Sequence, residues 1–135
     1  MPNSLVIEAT QGNLHTVIDF IDEELEALDC PMKAQTQIDL CAEEIFINIA
    51  SYAYPDGNGM AEIAVEPVDS GVAITFIDSG TPYNPLEKAD PDITLDAESR
   101  AIGGLGIFIV KKVMDKAEYA YEDGKNKLKL TKMFK

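Results

Sequence analysis

Apolar residues recur at steps of three and four through residues 37–54, QIDLCAEEIFINIASYAY. Ile38, Cys41, Ala42, Ile45, Phe46, Ile49, Ala50 and Ala53 form one stripe, the pattern of a helix that buries a single face. An earlier helix over 14–29 carries Leu14, Val17, Ile18, Ile21, Leu25 and Leu28 inward and Asp19, Asp22, Glu23 and Glu26 outward. Cys30-Pro31 should end it, because the residue before a proline is pushed away from helical angles. Period-two alternation then takes over: Ala61, Ile63 and Val65 alternate with Glu62 and Glu66, and 72–78 is more uniformly apolar, as a strand inside a sheet would be. Asp69-Ser70-Gly71 should join these two strands as a hairpin, and 4–7 reads as a short first strand.

Residues 81–102 lose all apolar period and contain Pro82, Pro85 and Pro91, so they read as a mobile lid. A third helix opens at Gly103-Gly104-Leu105-Gly106 and ends near Asp115. Ala117, Tyr119 and Tyr121 alternate with charged residues, Glu122-Asp123-Gly124-Lys125-Asn126 turns the chain, and Leu128 and Leu130 mark a last strand. The order predicts an α/β (α+β) two-layer sandwich, with three helices on one face of a mostly antiparallel, mixed sheet.

A chain of 135 residues, 46% of them hydrophobic, suits one domain over 1–135 with a real core. Without a bilayer-length apolar run or a secretion signal at the start, the reading is a cytoplasmic protein with no membrane partner. The formal charge of -13 argues against a direct nucleic-acid partner. That charge is uneven: residues 1–100 hold 3 basic and 20 acidic side chains, residues 101–135 hold 8 and 4. An anionic ligand would therefore need a cation, backbone N–H groups or a few well-placed basic residues. Cys30 and Cys41 have no metal-ligand spacing and read as reduced, structural thiols; His15 reads as a surface or capping residue.

Three places carry candidate chemistry. Glu44 and Asn48 stand one turn apart, so a carboxylate and a carboxamide can face one volume; the same pair also decorates solvated helix faces. Asp78 closes an apolar strand, where its charge needs donors such as the amino edge of adenine, or where it simply starts a turn with Ser79-Gly80. The glycines at 103–106 either expose helix N-terminal N–H groups to a phosphate or make a flexible turn.

Taken in order, EEIFINIASYAY, DSGTPYNP and GGLGIFIVKKVMD resemble the N box and the two glycine boxes of the GHKL (Bergerat-fold) ATPase superfamily. The chain most resembles its small stand-alone members, the anti-sigma-factor serine kinases of bacterial partner-switching systems. That resemblance implies ATP and Mg²⁺ as ligands, Asn48 as the oxygen donor to the metal, and Glu44 as the general base. It implies that Asp78 receives the adenine amine, that Gly80 lines the adenine pocket, and that Gly104, Leu105 and Gly106 hold phosphates. Arg100, the only arginine, would reach the γ-phosphate or a partner. The implied function is a serine-protein kinase that sequesters a sigma factor or other regulator and phosphorylates a serine on an antagonist protein; the family tendency is a homodimer. The alternatives are a nucleotide-binding switch without phosphotransfer and a structural interaction domain with a degenerate pocket. Two positions depart from many relatives: Tyr52 stands where a histidine follows the N box, and Thr131 is left unassigned to the last-strand hydroxyl those relatives carry.

Overall fold

The computed structural model describes residues 3–55, 58–87 and 104–135. Five strands, β1 (Asn3–Glu8), β2 (Met60–Val68), β3 (Gly71–Asp78), β4 (Lys116–Glu122) and β5 (Lys125–Met133), form one sheet in the order β1-β2-β3-β5-β4. Three α-helices are described, α1 (Leu14–Ala27), α2 (Met32–Asn48) and α3 (Gly104–Val113), with α2 packed against both of the others.

The expected mixed sheet is corrected: all four ladders among the described residues are antiparallel. β4 does run parallel to β3, but β5 inserts between them, so the two never share hydrogen bonds. Register puts Ile63, Phe76 and Leu128 in one row across the sheet and Val65, Ile74 and Leu130 in the next. All six are buried against the helical stripe of Val17, Ile21, Ile38, Ile45, Phe46 and Val110. Removing this much apolar surface from water, at roughly 25 cal/mol per Å², is the main term holding the two layers together. The third row, Ala61, Asp78 and Asn126, brings polar groups to the same inner face and marks where the core opens.

Helix boundaries differ from the sequence reading for local reasons. α1 stops at Ala27 because Asp29 takes a left-handed conformation (φ 56°), letting its N–H bond Glu26 O at 3.1 Å and the Cys30 N–H bond Leu25 O at 3.0 Å. These two bonds satisfy the carbonyls of Leu25 and Glu26 in the last turn of α1. Pro31, extended at φ -60° and ψ 147°, then opens α2 at Met32 rather than at residue 37, burying Ala34 and Gln35. At the other end α2 passes into a π-helical turn, Ile49–Ala53. The tight β4–β5 turn has positive φ at Asp123 (54°) and Gly124 (74°), the geometry that suits the twist of a two-residue hairpin. No described helix is long and apolar enough to cross a membrane. Both cysteines are free, and burial pushes the Cys41 thiol up to about 11, leaving it neutral in the core.

Between α1 and α2, Asp22 and Asp39 hydrogen-bond each other, and each keeps one buried oxygen without a partner. Burial first, then the Asp22 contact, raises Asp39 from 3.8 to about 8. The sign follows from linkage: between those values the folded chain holds a proton that the unfolded chain has released, so stability is lost as pH rises across that window. Melting temperature should fall from pH 5 to pH 8 and level off above. Asp39→Asn keeps a donor to Asp22 with no proton to lose, and should flatten that slope in a thermal melt; an unchanged slope would locate the titration elsewhere.

Candidate functional site

α2 presents two faces near its end. Its apolar stripe enters the core, while Asn48 and, in the π turn that follows, Ile49, Tyr52 and Ala53 line a cavity of about 480 Å³. That size suits a ligand the size of a nucleotide base with its sugar. Phe76 and Asp78 from β3, Leu128 and Asn126 from β5, and Tyr119 from β4 line the sheet side of the cavity; Ile107 of α3 and the segment from Thr81 to Pro85 complete the wall. The lining is apolar apart from a few side chains, so each polar group in it orients a ligand strongly.

The main polar cluster centres on Asp78, which is only 7% exposed. Its Oδ1 accepts the Gly80 N–H at 2.9 Å and the Asn126 Nδ2–H at 3.0 Å. Asn126 also donates to Thr81 O at 3.0 Å and accepts the Tyr83 N–H at 3.1 Å and the Tyr119 hydroxyl. Burial raises the Tyr119 phenol above its ordinary range, so that hydroxyl stays a donor. A second tie runs through Tyr54, whose hydroxyl accepts the Ser79 N–H at 2.9 Å and donates to Met60 O at 2.5 Å. Burial raises this phenol too.

The two glycines do different work. A Cβ on Gly80 would lie 2.2 Å from the Ala53 carbonyl oxygen, which already accepts the Thr81 N–H at 2.8 Å. Gly80 thus permits the end of β3 to close against the π turn; it backs the cavity wall and is not among the cavity-lining residues. A Cβ on Gly106, in the first turn of α3, would lie 1.9 Å from the Glu44 carboxyl carbon. The glycine lets that carboxylate approach the start of α3, where N–H groups have no partner within the helix.

The structure therefore brings Asn48 and Asp78 to one cavity and Gly106 to Glu44, one helical turn before Asn48. Gly104 opens α3. Arg100 and the part of the expected lid from 88 to 102 lie outside the described residues; residues 81–87 form cavity wall and a 3₁₀ turn at Pro85–Glu87. Thr131 lies opposite Ala73 and Lys116, away from the cavity. Sequence reasoning missed Asn126 and Tyr119. Asn126 sits in the turn cluster 122–126, yet it keeps the two-residue period of Leu128 and Leu130, and a polar residue at an inward strand position is the signal that marks it.

Residues 7–132 match the family model described as the histidine kinase-like ATPase domain. The chain is 29% identical over 93 residues to serine/threonine-protein kinase BtrW of Bordetella bronchiseptica, covering 68% of this chain and 66% of that protein. It also superposes on the crystal structure of the RsbU and RsbW domains of a Mycobacterium tuberculosis protein, with a TM-score of 0.68 and 18% identity, over 98% of this chain and 32% of the other.

The two glycines should respond differently to alanine in a urea titration. Gly80→Ala must displace backbone and should cost about 1–3 kcal/mol. Gly106→Ala meets only the end of a flexible side chain, and should leave stability unchanged or raised by up to about 1 kcal/mol through helix propensity. Equal losses in the two variants would contradict the packing described.

Proposed function

The chain belongs to the histidine kinase-like ATPase domain family, and from that premise we propose that it is a serine-protein kinase of the anti-sigma-factor type. It binds ATP with adenine against Asp78 and phosphates toward Glu44, Asn48 and the first turn of α3. The observation that carries this reading is the shared cavity, whose wall includes both the acceptor carboxylate of Asp78 and the carboxamide of Asn48.

The residues suit the chemistry. A carboxamide and a carboxylate one turn apart are hard oxygen donors, so Asn48 would hold Mg²⁺, which when bound neutralises charge on the transferring phosphate. Glu44 accepts the proton of a partner's serine hydroxyl as that oxygen bonds to the γ-phosphorus and the bond from phosphorus to the β,γ-bridging oxygen breaks, releasing ADP. Gly104, Leu105 and Gly106 hold phosphates through backbone N–H groups at the head of α3, a device suited to a chain of charge -13. Arg100 contributes a γ-phosphate or partner contact.

As a regulator, one domain over 1–135 holds a sigma factor or other regulator, and phosphorylates a serine on the antagonist protein that displaces it. The setting is the cytoplasm, with no direct nucleic-acid or membrane partner, and a homodimer is the assembly that the family resemblance implies.

With radiolabelled Mg-ATP and a serine-bearing antagonist, label should reach the antagonist. Binding of ATP without any transfer would reduce the protein to a nucleotide switch, and no binding at millimolar nucleotide would remove the proposal. Glu44→Ala should retain ATP affinity and lose transfer by about 10²–10⁴-fold. Asn48→Ala should lose the Mg²⁺-dependent part of ATP affinity, measured by calorimetry with and without the metal; full metal dependence in this variant would exclude Asn48 as a ligand.

A further inference from the structure

Asn126 makes more hydrogen bonds than any other side chain described at the cavity, and none of the proposed chemistry uses it. Its orientation is unambiguous. The Tyr83 N–H can only donate, so it faces Oδ1; the carbonyls of Thr81 and Gly80, at 3.0 and 3.4 Å, can only accept, so they face Nδ2. The donor side of the amide must then point at Asp78, directly opposite across the β3–β5 ladder, where Oδ1 accepts it at 3.0 Å. That same oxygen takes the Gly80 N–H. With two N–H groups converging on Oδ1, Oδ2 is the oxygen of Asp78 left to accept from a ligand in the cavity that this residue lines.

We propose that Asn126 is the positioning residue for base selectivity: by occupying Oδ1 of Asp78, it presents Oδ2 to the amino group of a 6-aminopurine and turns away a 6-oxopurine. The inference rests on the ATP-binding reading and adds to it the group that enforces the choice of base. A 6-oxo edge would set acceptor against acceptor in a largely apolar pocket, where neither partner finds water as a substitute. Asn126 also ties residues 81–83 to β5, so the wall beside the base and the carboxylate that reads it are held by one amide.

The test compares binding of Mg-ATP with that of Mg-inosine triphosphate, in which an oxo group replaces the 6-amino group. The unsubstituted chain should prefer ATP. Asn126→Ala should lower ATP affinity about tenfold or more, the worth of a hydrogen bond to a charged group, while inosine triphosphate affinity changes by less than about threefold. Asn126→Asp keeps the shape and the acceptor for Tyr83. It loses the donor while ionised, so it should resemble Asn126→Ala at pH 8 and regain ATP preference at pH 5, where a protonated carboxyl can donate to Asp78. Among the described residues, the ionisable groups around this position include Asp78 on β3, Lys125 and Lys127 beside it on β5, Tyr119 and Tyr121 on β4, and Glu87; the unsubstituted chain at both pH values controls for these. Thermal melts confirm that each variant is folded. An unchanged ratio of the two affinities in both variants, an equal loss of both nucleotides, or no recovery of Asn126→Asp at pH 5 would overturn the positioning role. Failure of the unsubstituted chain to bind ATP would instead overturn the function itself, and this inference with it.

Discussion

A carboxylate at the edge of an apolar core is the constraint around which the cavity is arranged. Asp78 follows Phe76 and Ile74 out of the sheet interior, and its charge is tolerable there only because two N–H groups reach one of its oxygens. One donor comes from the turn just after the strand and requires Gly80; the other comes from β5 and requires the antiparallel β3–β5 register to place residue 126 opposite residue 78. Shifting that register by one residue would put a lysine at the position and send Asn126 to the other face. Satisfying the charge therefore ties the turn, the last strand and the wall at 81–83 into one unit.

α2 meets that unit from the opposite side. Its stripe of Ile38, Cys41, Ile45 and Phe46 is anchored between α1 and the sheet, which fixes the rotation of the helix and with it the direction of Asn48. The π turn at Ile49–Ala53 then changes the winding: with the helical ladder interrupted, the Ala53 carbonyl is available to the Thr81 N–H, and Tyr52 joins Ala53 at the cavity. Glycine is needed at residue 80 for this closure, since any side chain there would enter the Ala53 carbonyl.

Much of this was written in local patterns. The periods of three and four located the helices, the period of two located the strands and both hairpins, and the glycine and asparagine motifs pointed to the family whose model spans residues 7–132. Such signals are legible because burial of one face imposes its period on neighbouring residues. Helix ends were less legible. The stop of α1 depends on a left-handed Asp29, a conformation more usual for glycine or asparagine, and the early start of α2 depends on Pro31 acting as an extended cap.

From its sequence alone the chain set its elements, their inward faces and the residue types able to meet a nucleotide. Which residues meet was decided only in three dimensions. Asn126 looks like part of a turn until the sheet order puts β5 beside β3, and Gly106 looks like any helix-opening glycine until α3 packs against Glu44. Both contacts join residues far apart in the chain, and such pairings follow from how whole layers stack.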